Sequence, residues 1–194
     1  MLAAPVQATD LKHRPKSGVT VDRDLTFRDA QLKDAAGLAE IGRETFAETF
    51  GDLYPPGDLR QFLDETYSVS KMEVDLKDPD VEVRIAYSGK RMVAYCKIGP
   101  CKLPIETGPE PALELHRVYV YQHGQGVGVG RILLAWAIER ARQRGARNLF
   151  LGVWESNDKA IALYESRGFE KVGAYKFKVG DTIDDEFIMR LRLA

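Results

Sequence analysis

The sequence predicts an α+β fold with a mixed sheet, and three observations carry that expectation. A hairpin is written between Val81 and Ile98. A strand, a glycine-rich loop, an amphipathic helix and a buried strand follow one another between Leu113 and Val153. Two strand-like runs then close the chain. Hairpins give antiparallel pairs, whereas a strand–helix–strand succession brings its strands together in parallel.

At 194 residues the chain has room for one domain with a sizeable core. The expected organisation is a flexible N-terminal tail over 1–24 and a single domain over 25–194. The tail mixes Ala3, Pro5, Pro15 and Gly18 with charges of both signs, and has no apolar stretch of signal-peptide type.

The elements follow in order. Leu25 to Arg28 reads as a short strand, and Leu32 to Phe50 places Ala35, Leu38, Ala39, Ile41 and Phe46 at helical spacing. Pro55, Pro56 and Gly57 break that helix, and Asp58 is the expected cap of a second one carrying Leu59, Phe62 and Leu63. A short helix over Lys71 to Leu76 precedes the hairpin, whose strands Val81–Tyr87 and Met92–Ile98 flank the turn-like Ser88-Gly89-Lys90-Arg91. A Pro- and Gly-rich loop, 99–111, leads to a largely buried strand from Leu113 to Tyr121. From Arg131 to Arg144, Leu133, Leu134, Ala137, Ile138 and Ala141 form an apolar stripe, and Gly145 ends the helix. Leu149 to Val153 is the continuous apolar run of a strand buried on both faces. A helix capped by Ser156 or Asn157 runs to Glu165, Gly168 ends it, and Phe169–Val179 and Ile183–Leu193 are the last strands.

Composition narrows the function. Hydrophobic residues are 44% and charged residues 29% of the chain, the balance of a globular protein. A net charge of −1 argues against a nucleic-acid partner, which calls for a basic excess. No run approaches the roughly 18 apolar residues of a membrane-spanning helix, so no membrane partner is expected. Cys96 and Cys101 are too few for a disulfide framework or a zinc site; they are expected to stay reduced, with no metal bound and a cytoplasmic location.

The most informative stretch lies between the buried strand and the amphipathic helix: Gln125, Gly126, Val127, Gly128, Val129, Gly130, Arg131. Successive amides at a helix N-terminus can converge on an anion, and glycine lets phosphate oxygens approach the backbone. A diphosphate is the natural ligand. The Walker pattern fails because no Gly-Lys pair followed by Ser or Thr occurs here, and the dinucleotide fingerprint fails because Arg131 or Val129 stands where its third glycine would be. A tight turn alone would not call for four alternating glycines, Gly124, Gly126, Gly128 and Gly130.

The Gln-x-x-Gly-x-Gly run from Gln125 to Gly130, after the strand Leu-His-Arg-Val-Tyr-Val, resembles the GNAT superfamily of acetyl-CoA-dependent N-acetyltransferases. Asn157, Ala160, Leu163, Tyr164, Gly168 and Phe169 match that family's second signature, in the correct order. The resemblance covers about residues 25 to 193. It implies a central mixed, mostly antiparallel sheet flanked by helices, acetyl-CoA as co-substrate, and pantetheine lying along the motif strand at Val118, Tyr119 and Val120. It also implies cofactor contacts from Gln125, Gly126, Val127, Gly128, Val129, Gly130 and Arg131, and from Asn157, Lys159, Ala160 and Tyr164. Arg131 reads equally as a solvated side chain, Lys159 more readily as a surface lysine, and Asn157 also as a helix cap.

The reaction requires a base, because a lysine-like amine of pKa about 10.4 is mostly protonated at pH 7. Glu114 is the first choice, acting through water, since strand alternation puts it on one face with His116, Val118 and Val120; His116 is the alternative. The resemblance gives Tyr164 the role of acid toward the departing thiolate, direct transfer in a ternary complex being expected. Cys96 and Cys101 are then packing residues. Beyond the two signatures, the runs beginning at Glu44, Leu151 and Phe177 resemble PaiA-like polyamine N-acetyltransferases, which implies spermidine or spermine as acceptor. Asp181, Asp184, Asp185 and Glu186 could attract a polycation, or form a solvated loop. The alternatives are a protein N-terminal or lysine acetyltransferase and a non-catalytic acetyl-CoA sensor. The protein is expected to be a monomer or homodimer.

Overall fold

The computed structural model describes residues 25–124 and 128–193. The tail over 1–24 and the motif residues Gln125, Gly126 and Val127 lie outside the described residues.

Strand β1 (Leu25–Asp29) leads through a 3-10 turn into α1 (Ala35–Phe50), α2 (Pro56–Thr66) and α3 (Val69–Lys77). Pro56 at the first helical position starts α2, its fixed φ already helical. Asp58, expected as the cap, sits inside that first turn and instead accepts the amide of Asp181. Ser68 caps α3 by accepting the Lys71 amide. The hairpin β2 (Glu82–Ser88) and β3 (Arg91–Pro100) turns tightly through Gly89 at φ +58°, and β3 takes in two residues expected in the following loop. Strand β4 (Ala112–Val120) precedes the glycine motif, and α4 (Val129–Gln143) begins two residues earlier than its apolar stripe predicts. Strand β5 (Asn148–Trp154), α5 (Asp158–Glu165), β6 (Glu170–Val179) and β7 (Thr182–Arg192) complete the chain.

The strands form one seven-stranded sheet in the order β1-β2-β3-β4-β5-β7-β6. Every neighbouring pair is antiparallel except β4–β5, which is parallel. The sheet is therefore mixed and mostly antiparallel, as expected. One face packs on α4 and α5, with Leu115, Val118, Leu133, Leu151, Val153 and Tyr164 among its core residues. The other packs on α1 to α3, with Phe46, Tyr67, Ile85, Tyr119 and Phe150. No described helix is long and apolar enough to cross a membrane.

Two irregularities shape the middle of the sheet. Lys97 faces Arg117 while the next β3 residue, Ile98, faces Leu115, so β4 carries one extra residue at His116. This is a β-bulge, and it inverts the alternation of faces. Leu113 and Leu115 join Val118 and Val120 in one core cluster, which leaves Glu114 on the opposite face from the two valines. The expectation that Glu114 shares a face with Val118 and Val120 is thus corrected. The second irregularity is that the β4–β5 ladder holds only Ala112–Asn148, Leu113–Leu149 and Glu114–Phe150. Beyond these pairs the two strands diverge, while β4 stays paired with β3 and β5 with β7.

Candidate active site

The divergence of β4 and β5 opens a passage through the sheet, and the two faces furnish it differently. On the α4/α5 face, Tyr164 extends from α5 into the core beside Val118, Leu151 and Val153, its ring 5.7 Å from that of Phe169. Its hydroxyl is buried without a hydrogen-bond partner in the protein. Burial, and then Cys96 nearby, push the phenol well above its ordinary pKa. Asn157 caps α5 by accepting the Ala160 amide at 3.2 Å, and buried Ala160 packs at its first turn. Lys159 and Arg131 are exposed.

The start of α4 is set by Gly128, which adopts φ +86° immediately before Val129. That left-handed conformation suits glycine and aims the chain into the helix. Gly130 follows in the first turn, close enough that an added Cβ would meet Val120 at 3.6 Å. Glycines here hold the helix N-terminus against the end of β4, where first-turn amides without helical partners and the helix dipole favour an anion. Val118, Tyr119 and Val120 form the stretch of β4 beside the divergence, and their side chains are buried.

On the opposite face lie two buried carboxyl groups in different circumstances. Glu114 is 1% exposed, and both its oxygens are engaged: Oε1 lies 3.0 Å from His116 Nδ1, and Oε2 accepts the Lys102 amide at 2.7 Å. Burial pushes this carboxyl up, but His116 and the Lys102 and Leu103 amides outweigh it and leave Glu114 below its ordinary value. Burial lowers His116 against the opposing pull of Glu114, so the imidazole is neutral at pH 7. With Nδ1–H toward Glu114, its Nε2 is an unpartnered acceptor facing Gly99.

Glu186 is the second carboxyl, also 1% exposed, on β7 opposite Trp154 of β5. Its Oε2 accepts the Tyr175 hydroxyl at 2.7 Å, and its Oε1 is buried with no partner. Burial pushes Glu186 up to about 8. Tyr175 is itself under the influence of both Glu186 and Glu114, which places the two carboxyls around one phenol. Next to them Gly152 of β5 leaves room: a Cβ there would meet Tyr175 Oη at 2.6 Å and Glu186 Oε2 at 3.2 Å. Gly152 is the first same-face residue of β5 beyond the last β4–β5 pair.

The structure thus brings Tyr164, Val118, Tyr119, Val120 and Glu114 to the passage, and Gly128, Val129, Gly130 and Arg131 to its end. Tyr175 and Gly152, the neighbours of Glu186 here, are residues that the sequence reading did not single out, and Glu186 entered it only as one of a run of acids. Asp184, Asp185 and Glu186 lie in β7 rather than in a solvated loop. Asp184 accepts the Tyr54 hydroxyl, and Asp185 pairs with Lys176. Also on this face, Glu44 and Glu48 of α1 reach the end of β4, accepting the Tyr121 hydroxyl and the Gln122 amide respectively. Cys96 and Cys101 are free thiols, and burial pushes Cys101 up to about 11. Among the described residues no group of three or more His, Cys, Asp or Glu is arranged to hold a metal ion.

A buried hydroxyl without a partner, core valines and a glycine-led helix N-terminus lie around the point where β4 and β5 part. Comparisons with known proteins supply the family. Residues 42–169 match the family model described as Acetyltransferase (GNAT) family. The uncharacterized N-acetyltransferase in the pepI 3' region of Lactobacillus delbrueckii subsp. lactis is 30% identical over 161 residues, 83% of this chain and 93% of that protein. Among solved structures, the PaiA N-acetyltransferase of Thermoplasma acidophilum in complex with coenzyme A superposes with a TM-score of 0.70 at 20% identity, over 88% of this chain and 99% of that one. The ribosomal-protein-alanine N-acetyltransferase of Brucella melitensis gives 0.62 at 28% identity, over 87% and 99%. The chain belongs to the acetyltransferase (GNAT) family, the N-acetyltransferases that transfer acetyl from acetyl-CoA to an amine.

Proposed function

We infer that this protein acetylates a small primary amine carrying further positive charge, a polyamine such as spermidine being the leading acceptor. The observation that carries this reading is the division of the β4–β5 passage, with the Tyr164 hydroxyl on one face and carboxyl groups on the other. Acetyl-CoA is the donor substrate. Its diphosphate belongs at the amides of 125–131, with Arg131 and Lys159 within reach of its phosphates, and its pantetheine beside Val118, Tyr119 and Val120. Asn157 and Ala160 keep α5 in place, so that Tyr164 meets the thioester sulfur from the core side.

Tyr164 is the acid that protonates the departing sulfur. Burial raises its pKa above the ordinary value of about 10, but burial raises the pKa of a thiol as well, so the transfer between them stays workable. Glu114, kept as an anion by its hydrogen bonds, draws the cationic acceptor toward the passage. Glu44, Glu48 and Asp184 add negative charge on the same face and favour an acceptor with more than one ammonium group. The whole chemistry sits in one domain over 25–194, and the cysteines take no part.

A second reading, acetylation of a peptide N-terminus, is favoured by the likeness to the Brucella ribosomal-protein-alanine enzyme. The test is release of free CoA from acetyl-CoA in the presence of polyamines, amino acids, lysine peptides and alanine-initiated peptides. Amine-dependent release led by spermidine is expected, and Tyr164→Phe should lower kcat by about 10²-fold or more without weakening CoA binding. Preference for a peptide would replace the acceptor. CoA binding without turnover on any amine would make the protein a sensor.

A further inference from the structure

We propose that Glu186, and not Glu114, is the group that takes the proton from the attacking amine, over the bare Cα of Gly152 and beside the Tyr175 hydroxyl. The inference rests on the acetyltransferase reading above and names the base of that same site.

Geometry separates the two carboxyls. A general base needs an oxygen open to the proton it removes, within about 2.6–3.2 Å in the reacting complex. Glu114 has both oxygens already engaged, Oε1 by His116 and Oε2 by the Lys102 amide. Glu186 has one open, because Oε1 is buried without a partner while Tyr175 fixes the orientation of the carboxyl through Oε2. A buried, unpartnered carboxyl oxygen is costly to keep, and a bound amine would satisfy it. Position agrees: Gly152 lies just beyond the last β4–β5 pair, and its missing side chain lets Tyr175 Oη and Glu186 Oε2 stand against the β5 backbone where β4 and β5 part.

The groups facing Glu186 come from several elements. They are Tyr175 on β6, Asp184 on its own strand, Tyr54 before α2 with its hydroxyl on Asp184, and Glu114 across Tyr175. Leu103 closes the corner from the β3–β4 loop. Two carboxyls pushed apart in this way divide the work, the permanently ionised one attracting the ammonium and the more basic one deprotonating it.

The step balances. The acceptor R–NH3+ gives one proton to the Glu186 carboxylate, and the freed lone pair forms the C–N bond to the acetyl carbon. The C–S bond breaks with its electron pair going to sulfur, which takes the proton of the Tyr164 hydroxyl. The nitrogen's surplus proton restores Tyr164, and Glu186 releases its proton to solvent. The net products are the acetamide, CoA thiol and one proton.

The test compares Glu186→Gln and Glu114→Gln with the unaltered chain, following CoA release from pH 6 to 10 with spermidine and with an alanine-initiated peptide. The unaltered chain should show kcat/KM rising with pH through a limb near 8. Glu186→Gln should lose about 10²- to 10⁴-fold in kcat together with that limb, and bind CoA within about threefold of normal by calorimetry. Glu114→Gln should keep the limb and raise KM. The assignment is overturned if Glu186→Gln keeps both rate and limb, or if Glu114→Gln abolishes the limb. Should Glu186→Gln fail to bind CoA, Glu186→Asp decides: a slower enzyme with a displaced limb supports the base, and an unchanged profile overturns it. Absence of amine-dependent release by the unaltered chain would overturn the acetyltransferase reading itself, a different result from a change in limb.

Discussion

At the scale of single residues, the informative groups are polar side chains taken out of water and only partly compensated. Glu186 is protonated in the folded state up to about pH 8, against an ordinary carboxyl value of 4.5. Its folded-state pKa is raised, so its contribution to stability is complete below the unfolded value and is lost as pH climbs toward 8. A tenfold difference in proton affinity between the folded and unfolded chain is worth about 1.4 kcal/mol, which makes the loss several kcal/mol across that window. Glu186→Gln removes this dependence. Its melting temperature should draw ahead of the unaltered chain between pH 5 and 8, with the difference constant above that, as thermal scans at a series of pH values would show. None of this was legible in Asp184-Asp185-Glu186, because a run of acids reads as solvated until the strand register shows that Glu186 shares a face with Ile188. Tyr164 was legible, since its signature spacing and its burial on a helix agree.

At the scale of elements, periodicity predicted nearly every helix and strand, and failed where a single residue changed the phase. Leu113, Leu115, Val118 and Val120 are spaced two, three and two apart. The step of three, filled by His116 and Arg117, is the trace that the bulge leaves in the sequence, and an alternation rule applied straight through it sends Glu114 to the wrong face. Asp58 misled for a simpler reason: Pro56 already satisfies the helix start, so no side-chain cap is required. Strand β5 carries a sharper consequence. Gly152→Ala would press a methyl group onto Tyr175 Oη and Glu186 Oε2, both tied to one another. The variant should fold with a loss of about 1–3 kcal/mol in a denaturant titration, and its kcat should fall far more than that of Gly57→Ala, where an added Cβ meets nothing within 4 Å.

At the scale of the whole molecule, the sheet is two antiparallel blocks, β1–β4 and β5–β7–β6, joined by three residue pairs. A ligand lying between β4 and β5 touches both blocks at once. Binding to the folded state alone at 100 times Kd adds about 2.7 kcal/mol, or a rise of roughly 5–10 °C in melting temperature for a chain of this size. CoA should produce that rise, and hydrogen exchange should slow at the amides of 115–119. An unchanged melting temperature would mean that CoA does not bind the folded chain, and slowed exchange away from β4 would place the cofactor elsewhere. The block boundary was half legible, for the strand–helix–strand succession announced a parallel pair but not how soon it comes apart.

The two blocks are also consecutive along the chain: β1 to β4 end at Val120, and β5 to β7 begin at Asn148, with Gly145 at φ +73° closing α4 in between. A nick after Gly145 would leave each fragment with its own antiparallel block and the passage as their shared border, so the reaction's two substrates would serve as the adhesive that holds a bisected enzyme together.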